Sequence, residues 1–101
     1  MTPLERHVSD ERTSRKRQEV ARLTEQHTAA RQEVEHLMGV VEALDKLIRE
    51  SAPDLRTPLA LERVRVREDV QRAVSKAEKL LRERDDAQER LALWAQIRRL
   101  L

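Results

Sequence analysis

The sequence predicts an all-α protein: two long helices forming an antiparallel coiled-coil hairpin, which could pair into a four-helix assembly. Three observations carry this expectation. Between Val20 and Ile48 apolar residues recur alternately three and four apart, as a heptad seam with Val20, His27, Val34, Val41 and Ile48 at a and Leu23, Ala30, Leu37 and Leu44 at d. Two of the three prolines fall in the stretch Ser51 to Pro58, the one breaker cluster in the interior. Of the 101 residues, 40% are charged, and the chain has a single glycine and a single aromatic, so it lacks material for sheet turns or a broad core. High charge is also a signature of disorder, but the net charge is only +2 and the apolar residues are regularly spaced.

Thr2-Pro3-Leu4-Glu5 announces the first helix. Threonine caps, proline takes the first helical position where no N–H is needed, and Glu5 completes a capping box. From there to Glu19 strong apolar residues are limited to Leu4 and Val8. Extending the heptad backwards puts Arg6, Ser9, Thr13 and Lys16 on the seam, which predicts a helical but weakly packed segment. Towards Ile48 the stripe widens with Met38, Val40 and Leu47, and Gly39 falls on the outer f position. Proline at 53 biases Ala52 out of the helical region, and Thr57-Pro58 repeats the cap-then-proline start, so the boundaries read helix 3–50, turn 51–57 and helix 58–101, one hairpin domain. The second helix continues the rhythm through Val66, Val70, Ala73, Ala77, Leu80, Arg84, Ala87, Leu91, Trp94 and Leu101. Charges spaced for i, i+4 pairing lie on outer faces: Glu11 with Arg15, Glu68 with Arg72, Glu78 with Arg82 and Asp86 with Arg90. The architectural alternative is an extended dimer in which residues 53–58 open as a hinge.

Little here suggests catalysis. Cysteine and tyrosine are absent, no glycine-rich loop exists, and carboxylates on a solvated helix meet no pocket that would shift their pKa. The reading is therefore a non-enzyme with no cofactor. Glu33-Val34-Glu35-His36 contains one Glu-x-x-His, but its second half is missing and the second helix carries no histidine, so no metal site is expected. His27 on the seam, with Arg84 on the facing helix, reads as a polar layer that sets register. The amino terminus lacks the apolar run of a signal peptide and no run of about 18 apolar residues occurs, so a cytoplasmic protein without membrane insertion is expected.

The carboxyl end departs from the narrow seam. Leu91, Leu93, Trp94, Ile97, Leu100 and Leu101 point around most of the helix, more than one partner helix can cover. They are the expected partner-binding residues, with Trp94 as anchor, serving a protein partner or a homo-oligomer, a dimer first. The chemical alternative is nucleic acid, through basic clusters at Arg12, Arg15, Lys16, Arg17 and Arg22, at Arg63, Arg65, Arg67 and Arg72, and at Arg98 and Arg99. Interleaved acids and the lack of stacking aromatics count against it.

In outline this hairpin resembles small two-helix coiled coils such as the soluble stalk proteins of flagellar and type III export machines, and also the tRNA-binding arm of seryl-tRNA synthetases. The likeness lies in the hairpin pattern across most of the chain, and no site is carried over from either family. It implies an adaptor, chaperone-like or assembly role, including one in a secretion or export machine.

Overall fold

Thr2 begins the chain's regular structure. In the computed structural model, which describes residues 1–101, its side-chain oxygen accepts the Glu5 N–H at 3.1 Å while its own N–H donates to the Glu5 carboxylate at 3.3 Å. Two of the four orphan donors of the helix start are thus satisfied, and helix α1 runs Pro3–Glu50 without a break. Helix α2 spans Pro53–Leu100, and the chain contains no strand. The protein is an all-α helical hairpin.

The connection is shorter than the sequence suggests. The turn expected over 51–57 consists of Ser51 and Ala52 alone, and α2 starts at Pro53 rather than at 58. Pro53 takes the first helical position itself, and Leu55 N–H closes the opening turn on the Ala52 carbonyl at 3.0 Å. Ser51 bonds back to the Leu47 carbonyl, and Arg56 Nε donates to the Ser51 carbonyl at 3.2 Å, which together satisfy the turn. Pro58 then lies inside α2. It is one turn from the start, so it forfeits only the bond its missing N–H would make to Asp54.

Packing resolves the hairpin into two compact units, Met1–His27 with Lys79–Leu101, and Thr28–Glu78. In Thr28–Glu78 the heptad positions Val34, Leu37, Val41, Leu44 and Ile48 turn inwards on α1, and Val66, Val70 and Ala73 on α2, with Val66 and Ala73 buried. Arg63 snorkels over this seam to Asp45, donating at 2.8 Å, and the guanidinium holds the Asp45 carboxyl below its ordinary value against the opposing effect of burial. The same unit leaves Met38, Leu47, Leu55, Leu61 and Val64 exposed, whereas Val40 is half-buried. In Met1–His27 with Lys79–Leu101, Leu23 and Ala87 are buried, but so are Ser9 and Thr13, at 5% and 9% exposure. The segment expected to be weakly packed carries the seam onward on small polar side chains instead.

Candidate partner-binding surface

A polar node holds this second unit. Thr13 Oγ accepts the Trp94 indole N–H at 2.9 Å and an Arg98 N–H at 3.1 Å, and donates to the Ser9 carbonyl at 3.0 Å. One hydroxyl thereby uses its donor and both acceptor sites. The other arm of the Arg98 guanidinium reaches the Asp10 carboxylate. Arg12 covers the Trp94 ring, its guanidinium carbon 5.7 Å from the ring centroid. Arg90 crosses to Glu19 at 3.6 Å rather than pairing with Asp86 along its own helix, just as Arg72 takes Asp69 in place of Glu68. Glu11 does pair with Arg15, at 3.8 Å, and also with His7 at 3.2 Å.

The six residues expected to bind a partner do not form one patch. Leu91 and Trp94 are half-buried and line a groove with Val20 and Ala95. Leu101 lies on another groove, with Met1, Leu4, Val8 and Trp94. Leu93, Ile97 and Leu100 follow each other at helical spacing on an exposed stripe of α2, at 53%, 49% and 87% exposure. Trp94 is the member common to both grooves, and its polar edge is already committed to Thr13. Met1, Leu4 and Val8 are exposed as well and join the apolar surface from the α1 side.

Arg98 reads in the sequence only as part of a basic cluster and Thr13 only as a seam position, neither as a partner of Trp94. Arg98 follows Trp94 by four in the 91–94–98–101 rhythm, and Thr13 sits on the backward-extended seam, so spacing was the available signal. His27 and Arg84 are both half-buried, but no hydrogen bond joins them. The Arg84 guanidinium turns to neighbouring Asp85 at 3.1 Å and leaves its Nε buried without a partner. His27 itself lies between Leu23 and Ala30, each only 4% exposed, so the zone is closely packed on α1.

Many of the basic residues have partners within the chain: Arg63 with Asp45, Arg65 with Glu62 at 3.7 Å, and Arg72 with Asp69. Arg12, Lys16, Arg17 and Arg22 have no carboxylate at salt-bridge distance. Arg12, Arg15 and Lys16 gather with Glu19 around Trp94 in a third groove. No three His, Asp or Glu side chains converge to hold a metal ion, and no helix is long and apolar enough to cross a membrane. The geometry defines a helical hairpin whose distinctive surface is apolar and cationic around one tryptophan. Compared with known proteins, the chain matches no family model, no curated protein and no solved structure.

Proposed function

We propose that this chain is a non-enzymatic coiled-coil interaction protein, an adaptor, chaperone-like or assembly component that binds a protein partner through the surface of residues 1–27 and 79–101. The observation that carries the reading is the concentration of exposed apolar side chains there: Met1, Leu4, Val8, Leu93, Ile97, Leu100 and Leu101. Apolar side chains left to solvent along a stripe on each helix are characteristic of docking faces rather than of a surface that works alone. A homo-oligomer, with two hairpins making four helices, is the simplest form such docking takes. Solution mass measured alongside affinity capture tests it. The expected result is a defined oligomer or a stoichiometric protein partner; a monomer that retains no protein contradicts it.

A second reading, nucleic-acid binding, is favoured by Arg12, Arg15 and Lys16 standing around Trp94. Phosphate contacts would make retention on single-stranded or duplex nucleic acid fall steeply with added salt. No retention at low salt removes it.

A further inference from the structure

The grooves beside Trp94 on the α1 side form a graded track. The first is lined by Met1 and, on α1, by Leu4, Glu5, Val8, Ser9 and Arg12, and the second by Arg12, Arg15, Lys16 and Glu19; Trp94 contributes to both. These α1 positions recur three and four apart, so they form one continuous helix face. At 1.5 Å per residue, positions 1 to 19 span about 27 Å, the length of a helix of about 18 residues. One end of the track is apolar, Leu101 closing it opposite Leu4 and Val8. The other end is cationic. The acidic side chains lining the two grooves are already engaged: Glu5, at the apolar end, caps Thr2, and Glu19 faces Arg90 at 3.6 Å, while neighbouring Glu11 pairs with His7 and Arg15. Arg12 and Lys16 are the cations left over, and Arg12 has only the indole ring beneath it.

From this charge surplus beside an apolar trough, we infer that the track seats an acidic amphipathic helix of the partner protein. Its apolar stripe occupies the Met1, Leu4, Val8 and Leu101 end, and its carboxylates meet Arg12 and Lys16. The inference rests on the protein-binding reading and specifies the chemistry of the partner. A neutral or basic helix would leave the two cations partly desolvated and unpaired, so the same groove selects against it.

Trp94 is the only tryptophan, so its emission reports the groove directly. The test titrates the full chain with two tryptophan-free peptides of about 18 residues that share one leucine stripe, flanked by glutamate in one and by lysine in the other. The glutamate peptide is expected to shift Trp94 emission to saturation and to bind roughly tenfold more tightly than the lysine peptide. Lys16→Glu, which leaves the indole stack intact, is expected to shrink that preference, and Arg12→Glu with Lys16→Glu to reverse it, with helicity unchanged. Equal binding of the two peptides overturns the acidic class while leaving the protein-binding reading standing. No emission change with either, in a chain that still captures a partner, overturns the groove. A single-stranded oligonucleotide that saturates the signal before the glutamate peptide does overturns it in favour of nucleic acid.

Discussion

In Thr28–Glu78 the seam is aliphatic: Val34, Leu37, Val41 and Leu44 turn inwards on α1, as do Val66 and Val70 on α2, with one arginine–aspartate pair over them. In Met1–His27 with Lys79–Leu101 the same heptad positions hold Ser9, Thr13 and Arg98, and directional hydrogen bonds to Trp94 and Asp10 replace much of the apolar contact. The difference concerns where apolar surface is spent. One unit uses its leucines and valines largely for self-packing. The other closes on a polar node and leaves Leu93, Ile97 and Leu100 to solvent. Polar closure is weaker per contact, because a net hydrogen bond contributes only about 1 kcal/mol, but it fixes geometry without consuming the apolar residues.

The largest expected effect tests whether the polar-sealed unit still depends on its one buried leucine. Leu23→Ala should cost about 2–3 kcal/mol in denaturant unfolding, more than the roughly 1.5 kcal/mol of Val66→Ala in the aliphatic unit. A loss well below about 1 kcal/mol for Leu23→Ala would mean that the polar node alone holds that unit. Next comes the node: Thr13→Val keeps shape but strips the Trp94 and Arg98 donors of their acceptor, costing about 1 kcal/mol, since water reaches half-buried groups. Trp94 emission should move to longer wavelength, and Thr13→Ser should restore it.

Acidification probes the other unit. The Arg63 hydrogen bond holds the folded Asp45 carboxyl below its ordinary 3.8, so its stabilising contribution is fully present above that value and is lost as pH falls through the lower folded one. Asp45→Asn should therefore lower the thermal midpoint at neutral pH, and the gap to the native chain should close in acid. A gap that persists in strong acid would mean that packing, not charge, carries the difference. The smallest change is Gly39→Ala. A Cβ there meets nothing within 4 Å, so the substitution should stabilise by about 0.5–1 kcal/mol through helix propensity, read as a rise in midpoint.

Much of the fold was legible because heptad spacing is a local signal: the seam from Val20 to Ile48 and the capping box at Thr2 and Glu5 both depend on near neighbours. The turn was less so. Thr57-Pro58 carries the cap-and-proline signal, yet the chain reverses at Ser51 and Ala52, so Pro53 starts the helix and Pro58 is tolerated inside it. The candidate surface was legible at its apolar members, whose excess over one helix face shows in sequence. Its polar half was hidden because Thr13 and Arg98 look like solvated residues until the register brings Trp94 to them.

The central claim is that partner binding belongs to residues 1–27 and 79–101. Two exposed pairs separate it from the alternative: Leu4→Ser with Val8→Ser on that unit, and Met38→Ser with Leu47→Ser on residues 28–78. Neither pair takes part in the hydrogen bonds of the Thr13 node, which makes them cleaner probes than Trp94 itself. Partner capture and solution mass should collapse to those of a bare monomer for the first variant and stay native for the second. Loss in the second with retention in the first would contradict the account.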